Sequence, residues 1–396
     1  MKFFTLKNCL IAVFLALFTF NPVFCIEDKN KSEGKKSAQT FYDEIITLDE
    51  NLDGDSSTAS ARDDDDFILD DKFRLGAQKL FAKQKKLVFK DSFLNEISGE
   101  IRYRGNLNFE NALNDTDTTY PFDINGVIDA KFHKNQYRFF GDYAFARDVD
   151  DLDNKFFGKF SALYLERKIN DKHLIRIGTS RAPIGLEGSI SSFALPLAKR
   201  AQIARNFGNA TATGISFIGS DKFYEYNIAA NTSTRNTQGF DDGAEVAARV
   251  GFRPFFKKES PLQNLRIYGG ANVGHRGEDY GVYSSAISYE YKKFLMNFEY
   301  AYANGSNSKF YVGEKQQGFF TTVGWNFTPK LQLLGRFDQF DPNNSSTNDI
   351  KREYTVGLNY FVYKQRLRFM LNYVFSQDEK TDINKNAIYF VTQVYI

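Results

Sequence analysis

Phe294-Leu295-Met296-Asn297-Phe298-Glu299-Tyr300-Ala301-Tyr302 places an aromatic ring or a methionine at every second position. Successive side chains of a β-strand point to opposite faces, so this stretch has one apolar face and one mixed, polar face. The same period returns at Ile388, Phe390, Thr392, Val394 and Ile396. Between Ile97 and Ile396 the chain repeats one unit: about ten alternating residues, then a turn. A single unit is a weak signal. A long series of them, rich in Tyr and Phe, is the pattern of an outer-membrane β-barrel with lipid outside and water inside.

Working outward from the repeat, sixteen strands are predicted, the first near 97–109 and the last near 386–396. Tight turns are read at Lys134-Asn135, Asn170-Asp171, Ser220-Asp221, Thr328-Pro329 and Tyr363-Lys364, and longer polar links at 110–120, 232–242, 304–316, 342–351 and 378–385. Short and long links alternate, so one rim carries hairpins and faces the periplasm while the other carries large loops. After the N-terminus no run of about 18 apolar residues occurs, which excludes a helical membrane protein. The mean hydropathy of −0.44 fits a barrel, where only alternate residues meet lipid.

Residues 1–25 read as a cleaved secretory signal: Lys2 and Lys7, an apolar core from Leu10 to Phe20, then Pro22. Cys9 and Cys25 fall inside it, so the exported chain holds no cysteine, and disulfides and thiolate chemistry drop out. Residues 26–72 carry 15 acidic against 6 basic residues, a net −9, and are expected to be mostly disordered. The segment 73–96 is a basic linker expected to form a short helix or a plug. From residue 73 onward 43 basic face 34 acidic residues, a net +9 hidden by the acidic segment.

Parity assigns functional faces. Arg102, Arg104, Arg138, Arg176, Arg249, Arg266, Arg336, Arg366 and Arg368 alternate with apolar neighbours and are read as a lumenal basic track, because a charge at mid-membrane on the lipid face costs about 2–4 kcal/mol. Glu100, Asp142, Glu299 and Asp338 are inward carboxylates, and acid–base pairing across the lumen is the competing reading of the same faces. Tyr283, Tyr291, Tyr302, Trp325 and Tyr360 are assigned to the interfacial aromatic girdles. Residues 182–210 join strands five and six without alternation yet hold Ile184, Leu186, Phe193, Leu195, Leu197, Ile203 and Phe207. Long loops in compact domains are usually functional. Their apolar content predicts a loop packed into the barrel as a constriction, with Arg181, Lys199, Arg200 and Arg205 as its substrate-facing cations. His133, His173 and His275 form no catalytic constellation, and no nucleophile elbow, phosphate-cradling or metal-ligand motif is present, so neither enzymatic activity nor a cofactor or metal is expected.

Ile175-Arg176-Ile177-Gly178-Thr179-Ser180-Arg181-Ala182-Pro183-Ile184-Gly185-Leu186-Glu187 and Pro196-Leu197-Ala198-Lys199-Arg200 resemble the strand-to-loop segment and late third loop of the phosphate-selective porin O and P family. Gly214 falls where that family's next strand opens. Phe327-Thr328-Pro329-Lys330-Leu331-Gln332-Leu333 and Thr355-Val356-Gly357-Leu358-Asn359-Tyr360 are similar to later family segments. Two positions depart from the pattern: Lys199-Arg200 replaces a glutamate–arginine step, and Ile396 stands where a terminal phenylalanine is common. The resemblance implies a homotrimeric, sixteen-stranded channel in the outer membrane of a Gram-negative bacterium, passing small, phosphate-like anions. A surface barrel acting in adhesion or partner binding through its long loops, notably 304–316 and 342–351, is the alternative. Nucleic acid is not an expected partner.

Overall fold

The computed structural model describes residues 86–89, 92–112, 115–147, 159–208, 211–234, 243–257, 260–307, 311–363 and 366–396. The segment read as an export signal, the acidic segment and residues 73–85 of the basic linker lie outside the described residues.

Sixteen antiparallel strands close on themselves. They are β1 (Leu94–Ala112), β2 (Phe122–Phe132), β3 (Tyr137–Arg147), β4 (Lys159–Lys168), β5 (His173–Arg181), β6 (Thr211–Ser220), β7 (Tyr224–Thr232) and β8 (Ala244–Phe252). The second half comprises β9 (Arg266–Arg276), β10 (Glu278–Tyr291), β11 (Phe294–Asn307), β12 (Tyr311–Thr328), β13 (Leu331–Asp341), β14 (Lys351–Tyr363), β15 (Leu367–Asp378) and β16 (Ile383–Tyr395). Each pairs with its chain neighbour, and β16 returns to β1 with Phe390 opposite Leu107 and Val394 opposite Tyr103. Ile101 and Ile396 exchange both backbone hydrogen bonds at 2.9 Å and finish the seam. Closure removes every free strand edge, the condition for backbone polar groups to cross lipid.

The outward parity is apolar around the wall. Ile101, Ile128, Phe139, Phe217, Val250, Val323, Val356 and Ile388 are all exposed. Tyr283, Trp325 and Tyr360 of the expected girdles are exposed on the same face. On β11 to β15 the rings of Phe298, Phe319, Phe337, Tyr354 and Phe375 follow one another at 6.2, 5.6, 5.1 and 6.2 Å, an aromatic band one ring per strand.

Both described chain ends of the barrel sit on the short-turn rim, as an even strand number requires. Turns there are tight at 133–136 and 292–293, with Lys134, Asn135 and Lys292 at positive φ, but the β8–β9 connection is longer and contains a 3-10 turn at Pro261–Asn264. Three of the expected long links are half strand or more. Asp115–Thr119 pair with the end of β1, β11 and β12 run to Asn307 and Tyr311, and β15 and β16 run to Asp378 and Ile383. Beyond the membrane no lipid demands apolar alternation, so a hairpin that continues there keeps its ladder and loses its sequence period. The loop at 304–316, on which the adhesin alternative leans, is therefore a hairpin. At the other end of the chain, Leu87 and Val88 are extended and pair with Ile97 and Glu96 of β1; the described part of the linker is not helical.

Candidate functional site

Residues 182–208 leave β5 and run along the inner wall. Two short elements punctuate them, a 3-10 turn at Ser192–Ala194 and the helix α1 (Gln202–Asn206). Ala182, Ile184, Ala201, Ile203 and Phe207 pack with inward Ala247, Val282, Ala301, Ala303, Phe320 and Phe340. Leu186 meets Tyr268 and Ala286, and Leu197 meets Leu295 and Leu334. Inward residues of β8 to β13 are thus apolar where the segment covers them. Burial of both surfaces, at about 25 cal/mol per Å² of apolar area, holds the segment down.

Polar tethers from many strands add position. Glu299 on β11 accepts the Leu186 N–H at 2.9 Å, and Asp338 on β13 accepts that of Gln202 at 2.7 Å. Asn372 accepts the Ala198 N–H at 2.7 Å, and Asn359 donates to the Pro196 carbonyl at 2.9 Å. Gly185 sits at φ +67, and a Cβ there would collide with the Glu299 carboxylate. That residue has to be glycine for the carboxylate to reach the next N–H.

Four of the expected track arginines hold this segment. Arg104 donates to the carbonyls of Ser192 (2.8 Å) and Ala198 (2.7 Å), and Arg368 to Leu195 (3.0 Å) and the Gln393 side chain (2.8 Å). Arg249 reaches the Gly185 carbonyl at 3.1 Å. Arg336 donates to the Lys199 carbonyl at 3.0 Å and forms a buried ion pair with Glu187, whose other oxygen accepts the Ala201 N–H at 2.8 Å. On the wall of β1 to β5 the arginines pair with acids. Arg138 bridges Asp129 (2.8 Å) and Glu166 (3.2 Å), Arg176 joins the same Glu166 (2.8 Å), and Arg102 lies between Glu100 (3.1 Å) and Asp142 (3.7 Å). Arg176 also stacks over Tyr164 at 4.2 Å. Arg266 lies beside Tyr268 on β9, and Arg366 precedes β15, its carbonyl accepting the Tyr395 N–H at 2.7 Å.

The four loop cations divide. Lys199 stays 40% exposed, 4.4 Å over the Tyr389 ring and 3.4 Å from Glu110, itself 43% exposed. Tyr389 donates to that same Glu110 at 2.5 Å. Arg205 is 32% exposed and pairs with Glu353 of β14 at 2.7 Å. Arg200 instead is buried and donates inside its own loop, to the carbonyls of Glu187 and of Ile190 (2.7 Å). Arg181 ends β5 opposite Thr211, on the parity of Ile175 and Ile177, the outward one. The segment therefore brings two cations, Lys199 and Arg205, to a wet part of the interior against wall acids Glu110 and Glu353. Sequence reading misses Glu110, Glu187, Glu353, Asn359, Asn372 and Tyr389; each stands on an inward position or in the loop, but its partner lies far along the chain.

Elsewhere, His275 faces Asp279 at 2.8 Å across the Gly277 turn, in the open, and His173 bonds Tyr226 at 2.8 Å on the outer face. Among the described residues no three His, Cys, Asp or Glu side chains gather as a metal set.

Residues 257–394 match the sequence profile of the phosphate-selective porin O and P family. The match takes in Phe327–Leu333 and Thr355–Tyr360, so the resemblance read from the sequence holds over that part of the chain. No curated protein sequence matches. Among solved structures the chain is similar to an anion-selective porin from Comamonas acidovorans (TM-score 0.56, 10% identity, covering 76% of this chain and 99% of that one). It is similar to OmpF of Salmonella typhi in complex with daunomycin (TM-score 0.58, 11% identity, 78% and 100%). A third likeness is to the outer-membrane channel DcaP of Acinetobacter baumannii (TM-score 0.54, 12% identity, 78% and 99%). At such identities these likenesses establish the barrel fold.

Proposed function

We propose that the chain is a passive outer-membrane porin for small polar solutes with a preference for anions, phosphate-like ones among them. Residues 182–208 act as its constriction, and Lys199 and Arg205 are the cations a passing anion meets. The observation that carries this reading is the position of those two groups: inside a lipid-facing barrel, on a segment fixed to the wall, and still in water. Inward arginines that hold the loop contribute to the field at longer range. The family match and the anion selectivity of the Comamonas acidovorans porin point the same way. In planar bilayers the native protein is expected to conduct without an energy source, and its reversal potential in a potassium chloride gradient should take the anion sign. A cation sign would sink the anion preference, and no conductance would sink the porin.

We also propose a homotrimer. The outer face of β1 to β4 has a shallow apolar concavity over Gly99, Gly126 and Gly141, bordered by Phe139, Tyr143, Phe145 and Phe160. A Cβ at Gly126 would strike the Phe145 ring, but one at Gly99 or Gly141 would meet nothing nearer than 3.8 or 3.7 Å, so at those two positions the chain's own packing does not demand glycine. Molar mass by light scattering in detergent should be three times that of the chain. Gly141→Trp should reduce it to one chain with heat-resistant β-structure unchanged; a trimer that ignores the change would place the contact elsewhere.

A further inference from the structure

The net +9 carried after residue 72 concentrates on one edge of the wall. Seven connections, all short except that between β8 and β9, join β2 to β3, β4 to β5, and so on to β14 and β15, and each has at least one basic residue. Lys134, Lys172 and Lys222 stand exposed on the first three, and Lys257 on the fourth, although Asp171 and Asp221 share the second and third turns and Asp221 pairs with Lys172 at 2.7 Å. Lys292, Lys293 and Lys330 stand exposed on the next two, and the sequence of the last holds Lys364 and Arg366. The opposite rim is mixed: exposed Asp279 and Glu278 share the β9–β10 hairpin and Asp117 and Asp382 are exposed near theirs, but so are Lys315, Lys380 and Lys385.

We infer that this basic ring binds the headgroups of anionic phospholipids in the leaflet on the short-turn side. Its regularity selects the occupant. A partner protein would touch one sector of the circumference, whereas a bilayer leaflet meets all of it that a neighbouring barrel leaves uncovered. The lysines also lie directly past outward aromatic side chains: Phe223 and Phe252 beside their turns, Trp325 and Phe327 before Lys330. Rings of that kind settle at headgroup level, which puts the neighbouring ammonium groups among the lipid phosphates. Beside Trp325 the arrangement is tight. Phe294 stands opposite Trp325 in register, the Lys293 carbonyl accepts the Asn326 N–H at 2.8 Å, and the Lys293 ammonium reaches the Phe327 carbonyl at 3.4 Å. The inference rests on the barrel spanning a membrane and is independent of whether it conducts.

Trp325 is the chain's single tryptophan, which supplies a local probe. The full-length protein, reconstituted in phosphatidylcholine vesicles, is titrated with brominated phosphatidylglycerol or brominated phosphatidylcholine, and quenching of Trp325 is read. Phosphatidylglycerol should associate about five-fold more strongly, the ratio that ~1 kcal/mol for one surface lysine gives. Raising the salt to about 0.5 M should erase most of the difference. The triple change Lys292→Gln, Lys293→Gln and Lys330→Gln should abolish it, while arginine at the same positions keeps it; these turns are exposed, and unchanged heat-modifiable migration on gels confirms the fold. Equal quenching by the two lipids, or a preference that survives the triple change, overturns the inference. Loss of the preference in inorganic phosphate at matched ionic strength would assign the ring to soluble phosphate and overturn it as well.

Discussion

Replacing Arg336 by methionine is expected to loosen the segment 185–201 from the inner wall and raise single-channel conductance, with noisier open levels. Arg336 and Glu187 are 3% and 1% exposed and form an ion pair across the space between β13 and the loop. Removing one partner of a buried pair leaves an orphaned charge, which costs about 3–5 kcal/mol. Glu187 would keep one N–H, from Ala201, and would gain far more by moving into water. Movement would carry Lys199 and Arg200 with it, so trypsin, blocked from the packed loop, should cut there in the variant. The double change Glu187→Gln with Arg336→Met tests the cause, since it leaves no unpaired charge and should return most of the native conductance and protease resistance. If the single variant conducts and resists trypsin as the native protein does, the remaining tethers at Glu299, Asp338, Asn359 and Asn372 hold the loop without this pair.

The barrel is legible from the chain because lipid imposes a rule with a period of two. Val356 and Leu358 must be apolar on the outside whatever the inside does, so the parity of β14 is forced residue by residue. Where lipid ends, so does the rule, which is why the ladders at Asp115–Thr119 and beyond Asn304 look like loops in the sequence. The loop's descent into the lumen is also legible, since Ile184, Leu186, Leu197 and Phe207 could be buried nowhere else. The duties of the arginines are not. Arg104 and Arg138 look alike on their strands, yet one grips loop carbonyls some 90 residues away and the other two carboxylates on neighbouring strands. Only tertiary pairing separates a cation that serves the fold from one that faces the passage. Arg181 is the exception: its shared parity with Ile175, Ile177 and Thr179 already places it on the outward face.

Reversing Lys199 and Arg205 together to glutamate is expected to turn the proposed anion preference into a cation preference. Both ammonium and guanidinium groups stay partly in water, and their acid partners Glu110 and Glu353 belong to the wall, so the double variant would gather four carboxylates around one stretch of passage. A unit charge ~6 Å from an ion's path contributes about 0.7 kcal/mol in bulk water before screening. Two reversals change four charge units, so even with half the effect lost to salt each ion's permeability should move by roughly ten-fold, in opposite senses for anion and cation, and their ratio by roughly a hundred-fold. Reversal potentials in a potassium chloride gradient measure this directly, and Glu110→Gln alone should shift them the opposite way, toward anions. Neutralising Arg200 gives the contrast that makes the argument specific. Its guanidinium is spent on the carbonyls of Glu187 and Ile190, so Arg200→Gln should loosen the loop and raise conductance with little change in the anion-to-cation ratio. Should Arg200→Gln move selectivity as far as the double reversal does, the ions pass on the Arg200 side of the loop, and the wet pair at Lys199 and Arg205 is not the filter.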